Sequence, residues 1–181
     1  MNKQDFVIVG GSAAGTTAVD MIRGLLPSAS ITIVTDEAHE FYSRVLIPHY
    51  IRGKVGRDHV FLKKPEWYKE KNVELILGER VINLDPARKI VTLASGEQIE
   101  YGKLLISVGG NVNKLQIPGV EQANVLYMRT IDDADRIIAE AKMASKALVV
   151  GGGFIGLEFA SSFVKNGVKD VKILVVEDYF W

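Results

Sequence analysis

Cysteine is absent from all 181 residues, which excludes disulfides, iron–sulfur clusters, thiolate zinc sites and a redox-active dithiol within this chain. Any redox chemistry must therefore come from a cofactor. Excess charge is lacking as well: 22 Lys and Arg balance 22 Asp and Glu, with no long run of either sign, so the basic footprint of a nucleic-acid binder is missing. Long apolar runs are also scarce. The first, Phe6 to Val9, is four residues long, where a signal-peptide core takes about 7–15, and no window approaches the roughly 20 apolar residues of a membrane span. These absences point to a soluble, cytoplasmic protein that binds neither nucleic acid nor membrane. Its length suffices for one good core, or one domain and part of another.

What is present alternates. FVIV (6–9) reads as a buried strand, a glycine turn follows, and a small-residue helix runs from about Thr16 to Leu26 before a second buried strand, ITIV (31–34). Strand, helix, strand in this order predicts a parallel pair with a right-handed crossover, the first unit of a doubly wound sheet. The middle differs: KIVTLASGEQIEY (89–101) places two β-rich runs around Ser95-Gly96, the pattern of a tight hairpin. LLISVGG (104–110) reads as another buried strand ending on glycine, and IPG (117–119) as a boundary turn. TIDDADRIIAEAKMA then carries a helix with Thr130 as N-cap and acids in its first turn. A second strand–glycine–helix opening begins at Ala147.

The two glycine turns carry the chemistry. Gly151, Gly153 and Gly156 fit G-x-G-x-x-G, with Phe154 and Ile155 in the helix opening. In this pattern one glycine makes the tight turn, one lets backbone approach a pyrophosphate and one packs helix on strand. In the first turn the matching positions are Gly10, Ser12 and Gly15, with Ala13 and Ala14 between them, so a serine replaces the middle glycine and sets a Cβ where a diphosphate would pass. A bound ribose calls for an acid about 20 residues on, at the end of the next strand. Asp36 and Glu37 stand 21 and 22 residues past Gly15, and Glu177 stands 21 past Gly156, closing VKILVV.

With VIVGGSAAG, TDEAHEFYSRVLIPHYIRGK, the hairpin into YGKLLISVGG, IPG, Arg129-Thr130 and GGGFIGLE in this order, the whole chain resembles the N-terminal part of the FAD- and NAD(P)-dependent pyridine nucleotide–disulfide oxidoreductase superfamily. Within it, the match is to the branch of NADH–rubredoxin reductases, NADH oxidases and nitrite reductase flavoprotein portions. The resemblance implies a Rossmann-like α/β fold with a parallel sheet, helices and a β-hairpin or meander layer. Residues 1–119 would be the first half of an FAD-binding domain and residues 120–181 the start of an incomplete NAD(P)-binding domain. It assigns the first turn to FAD and the second to NADH.

By the same resemblance Glu37, or alternatively Asp36, holds the FAD ribose. Arg44 approaches the flavin diphosphate or ring, Val81 meets adenine through its backbone, and Ser107 with Gly109 lines the FAD edge. His49 falls near a lysine that ferredoxin-reductase relatives set beside the flavin, and Glu158 resembles the carboxylate at the nicotinamide–flavin junction. Val45 stands where disulfide-reducing relatives carry their catalytic cysteine, which leaves hydride transfer from NADH to flavin and onward to an acceptor such as a rubredoxin-like protein or oxygen. His39, His49 and His59 are spaced by ten, neither a helical face nor a metal-ligand interval, so no metal site is expected. The family's further strands, the rest of its FAD domain and its interface domain would follow Phe180-Trp181. An expression fragment, a broken frame and a subunit completed by another chain or by oligomerisation all stay open. So does the alternative that the chain alone is a catalytically incomplete FAD- and NAD-binding piece.

Overall fold

The structure, a computed structural model, describes residues 2–176 and Asp178. Glu177, and the terminal aromatics Phe180 and Trp181, lie outside the described residues. In chain order the elements are β1 (Asn2–Val9), α1 (Ala13–Leu25), β2 (Ile31–Val34), α2 (Ile47–Ile51), α3 (Pro65–Glu70), β3 (Val73–Ile76), β4 (Val81–Asp85), β5 (Ile90–Leu93), β6 (Gln98–Ile106), α4 (Ile131–Met143), β7 (Lys146–Val150), α5 (Phe154–Lys165) and β8 (Asp170–Leu174). They divide into two compact units: the residues up to Ser43 with Phe61–Gly110, and Arg44–Val60 with the residues from Asn111 on.

The first unit is a six-stranded sheet in the order β3-β2-β1-β6-β5-β4. β1 is parallel to β2 and β6, and β2 to β3, whereas β5 and β4 continue from β6 as an antiparallel meander. This is a Rossmann-like mixed α/β fold. Side chains of β1 alternate between two cores, as a pleated strand requires. Val7 and Val9 join Val34, Val91, Leu93, Ile99 and Tyr101, while Ile8 joins Val19, Ile31, Ile33 and Tyr68. β2 is buried at all four positions, as expected of a parallel strand covered on both faces. β1 lies where the chain reverses direction across the sheet, with β2 on one side and β6 on the other. Ligands of doubly wound sheets bind beyond the strand ends at such a point.

Three expectations need correction. Helix α1 begins at Ala13 rather than Thr16. The runs QIEY and LLI are one strand, β6, with no break at Tyr101-Gly102. Gly102 is required for a different reason: an added Cβ would stand 2.8 Å from the carbonyl oxygen of Asp5 on β1. Nor is the far end of β6 buried, since Ile106 is 59% exposed.

In the second unit β7 and β8 run parallel, with α5 between them in sequence. α4 opens on a full capping box: Thr130 accepts from the amide of Asp133, and Asp133 accepts from the amides of Thr130 and Arg129. α2 and the turn that follows it make a small set of polar contacts with α4 and α5 in this unit. Tyr50 donates to Asp135 at 2.6 Å, Arg57 to Asp135 at 2.9 Å, and Asn166 to the carbonyl of Ile51 at 2.7 Å. No helix among the described residues is long and apolar enough to cross a membrane.

Candidate functional site

The first turn is built by close approach. After Val9 the chain turns at Gly10 with φ +112, and the Gly10 amide donates to the carbonyl of Val34 at 2.8 Å. From the other side, the amide of Ser107, just past β6, donates to Val9 at 2.8 Å, and its hydroxyl to the carbonyls of Val9 and Gly10, each at 3.2 Å. A Cβ on Gly10 would lie 2.3 Å from the Ser107 carbonyl oxygen, and one on Gly15 would lie 2.1 Å from that of Gly10. Glycine is thus enforced at both positions by neighbouring backbone.

Ser12, the N-cap of α1, has an extended backbone (φ −90, ψ −160). Neither it nor Gly153, the N-cap of α5, closes its helix with a side-chain hydrogen bond, and neither helix has an acid in its first turn. In this they differ from α4. The first-turn amides, those of Ala13, Ala14 and Gly15 in α1 and of Phe154, Ile155 and Gly156 in α5, have no intrahelical acceptors. Ala13, Ala14, Phe154 and Ile155 are all exposed. Amides presented this way at a helix N-terminus favour an anion.

At the end of β2 the two acids part company. Asp36 is exposed and pairs with Arg80 at 2.9 Å. Glu37 is half-buried and accepts from the hydroxyl of Tyr42, itself buried. The connection leading to Val81 lies against them, the Glu79 amide bonding Thr35 and the Gly78 amide bonding Glu37. Val81 is half-buried and packs its side chain against the core. Gly109 is exposed, with φ +69. Gly10, Ser12, Gly15, Ser107, Glu37 and Val81 thus all fall within the first unit. Tyr42 and Arg80 were not expected from the sequence, because nothing in their spacing marks a partner for either acid.

The second turn repeats the first in miniature. Gly151 has φ +119, its amide donates to Leu174 at 2.9 Å, and a Cβ on Gly156 would lie 2.1 Å from its carbonyl oxygen. A Cβ on Gly151 or Gly153 would meet nothing within 4 Å. Glu158 lies one turn into α5, beyond the helix's first turn. It pairs with Arg52, the residue that caps α2. Arg44 opens a short 3-10 turn, Arg44–Leu46, ahead of α2, and His49 is half-buried within α2. Val45, on the same turn, is 82% exposed.

Two glycine turns of one geometry, each opening a strand–helix–strand unit, define a protein of the dinucleotide-binding α/β class. The chain belongs to the pyridine nucleotide-disulphide oxidoreductase family, whose model matches residues 4–181. It is 34% identical over 167 residues to NADH-rubredoxin oxidoreductase from Clostridium acetobutylicum, covering 92% of this chain and 43% of that protein. The crystal structure of that enzyme superposes with a TM-score of 0.88 over 98% of this chain and 46% of that one, at 31% identity. Nitrite reductase [NAD(P)H] from Bacillus subtilis is 33% identical over 96% of this chain and 22% of its own length. The water-forming NADH oxidase of Lactobacillus brevis, solved bound to NADH, superposes at a TM-score of 0.89 with 26% identity, over 99% of this chain and 41% of that one. The chain spans less than half the length of each.

Proposed function

We propose that this chain is the N-terminal part of an NADH-dependent flavoprotein reductase, with FAD at the first glycine turn and NADH at the second. The observation that carries the reading is the paired geometry. Both turns begin on a left-handed glycine (φ +112 and +119) and have a third glycine whose Cβ would lie 2.1 Å from the first one's carbonyl oxygen. Each opens a helix without an acid in its first turn.

Bound FAD supplies a ring that accepts hydride from a nicotinamide and passes electrons on; the rest is done by the polypeptide. Gly10 and Gly15 keep the turn close enough for the amides of Ala13, Ala14 and Gly15 to meet a diphosphate, and Ser107 pins Gly10 in place. Glu37, oriented by Tyr42, takes the ribose; Asp36 is already engaged by Arg80. Gly151, Gly153 and Gly156 do for NADH what the first turn does for FAD. Arg44 and His49 serve the flavin side, and Glu158 serves the nicotinamide–flavin junction. With Val45 at the cysteine position, electrons leave without a thiol, to a rubredoxin-like protein or to oxygen. That the Clostridium relative is named for rubredoxin supports the former.

A second reading, a nucleotide-binding piece that is catalytically incomplete by itself, is favoured by the open edge of β7, which among the described residues pairs only with β8. Purified protein carrying yellow flavin absorbance that NADH bleaches anaerobically supports the first reading. Flavin that NADH leaves oxidised supports the second, and protein that never takes up FAD refutes both.

In the sequence Glu177 and Asp178 follow Gly156 at the spacing of a ribose-binding acid, and no arginine occurs between Arg136 and Trp181. Carboxylates there accept from a ribose 2′-OH and repel a phosphate. NADH should therefore reduce the flavin faster than NADPH in the FAD-loaded full-length protein, and Glu177→Ala should narrow the gap. An equal or faster rate with NADPH in the unmutated protein would remove Glu177 from the site.

A further inference from the structure

Arg52 caps the C-terminus of α2, and its side chain is only 14% exposed. A guanidinium so placed is costly unless its donors are engaged, and both of the engaged groups belong to α5. Nη2 lies 3.4 Å from Oε1 of Glu158, and Nε donates to Oγ of Ser162 at 3.2 Å. The Ser162 hydroxyl in turn donates to the carbonyl oxygen of Glu158 at 2.6 Å. Asn166, one turn further on, donates to Ile51 at 2.7 Å and to Ser162 at 2.8 Å, tying the end of α2 to the same helix face. Glu158 and Ser162 are four residues apart, so they present to one side of α5, where a planar cation can meet both at once. The Glu158 side chain remains 44% exposed. The clamp is closed and the carboxylate it grips is open.

We propose that Arg52 is the positioning residue for Glu158, fixing the carboxylate that would meet a nicotinamide bound at the second turn. The inference rests on the reading of Glu158 given above. Arg52 would act through Glu158 and not on a nucleotide directly. Its role is to restrict the rotamers of Glu158 from the buried side, so that a bound nicotinamide meets a carboxylate already in place.

The test uses the FAD-loaded full-length protein, with anaerobic flavin bleaching followed at saturating NADH. Arg52→Met should slow the limiting rate about tenfold, the scale on which a misplaced group acts, while the NADH dissociation constant stays within about twofold. Glu158→Gln should slow it similarly. The double variant should be no slower than Glu158→Gln alone, because the two residues act as one unit. A readout independent of turnover is the Arg52 Nε–H signal in arginine-labelled protein, which should exchange slowly and shift in Glu158→Gln. A wild-type limiting rate in Arg52→Met with a slowed Glu158→Gln, additive losses in the double variant, or a fast-exchanging, unshifted Nε–H overturns the inference while leaving Glu158 its role. A wild-type rate in Glu158→Gln removes the Glu158 reading and the inference with it. Should Arg52→Met fail to fold, Ser162→Ala removes the Nε acceptor, together with that hydroxyl's bond to the Glu158 carbonyl, and leaves the guanidinium in place. It should still slow the limiting rate by about twofold or more, and a wild-type rate there overturns the inference as well.

Discussion

Ser12 and Gly153 occupy the same place in two turns, and both have extended backbones, φ −90 and φ −77, that any residue adopts. The neighbouring glycines are not equivalent to them. Gly15→Ala would drive a methyl into the carbonyl of Gly10, 2.1 Å away, and against Ile8, forcing α1 off β1. We expect a loss of about 1–3 kcal/mol, the usual cost of overpacking, and loss of FAD binding. Gly153→Ser meets nothing within 4 Å and should change stability by less than about 0.5 kcal/mol. Thermal unfolding with flavin titration checks both, and a Gly15→Ala protein that unfolds at the wild-type temperature and holds FAD would contradict the packing argument. The spacing of these glycines was readable because their cause is local, a strand meeting its own helix within a few residues. Tyr42, Arg80 and Arg52 were not readable. Each acts on an acid brought to it by the fold, and Arg52 reaches Ser162 across 110 positions.

Among the helices, α4 is closed by its own side chains, whereas α1 and α5 leave their first amides to another group. Thr130→Ala should therefore cost about 1 kcal/mol, the usual value of an N-cap, while leaving flavin binding unchanged; an equal loss of flavin would tie α4 to the site after all. α2 carries a pH signature. Burial, then the hydrogen bond to Asp135 and its charge, push the Tyr50 hydroxyl up to about 12 from an ordinary 10.0. A group whose folded value is raised contributes stability that is fully present below the unfolded value and is lost as the pH rises through the folded one. The second unit should hold this contribution up to about pH 10 and lose it towards pH 12. Burial raises the Tyr68 hydroxyl as well, so ultraviolet titration should show a late-ionising component that Tyr50→Phe diminishes. A titration unchanged by that substitution would place the late component elsewhere.

Strand β1, strand β2, the hairpin, the Thr130 cap and the second opening all stand close to where their sequence patterns put them, since each carries a signal within its own residues. α2, β3 and β4 carry none. α2 is five residues with a proline near its start, and β3 and β4 are short, with mixed burial that shows no clean period of two. β6 reads as two runs from its sequence pattern, one on each side of Gly102, whereas that glycine admits the backbone of Asp5 and the strand passes through it.

At the scale of the whole molecule, apolar surface is left uncovered on the second unit. β7 has one partner strand among the described residues, and Leu148, Val150, Leu174 and Val176 are exposed. An unpaired edge beside apolar side chains invites association. The 181-residue chain should accordingly show concentration-dependent light scattering, with proteolysis concentrated after about Val120. A protease-resistant monomer at every concentration would show that this surface is covered in some other way.

The placement of residues 44–60 also sets an order of events during synthesis. This segment is made early, yet two of its contacts, Arg52 with Ser162 and Ile51 with Asn166, lie 110 and 115 positions further on. At ribosomal speeds of about 5–20 residues per second, the wait is roughly 5 to 25 seconds. Meanwhile β3 and the β4–β6 meander emerge with β1 and β2 already available to pair with, so the first unit can close with the segment held as a loop anchored at both ends. Throughout that interval Ile47, Pro48 and Ile51, buried in the finished protein, face water without the helices that later cover them, an opening for a chaperone or a protease that disappears once α5 leaves the ribosome.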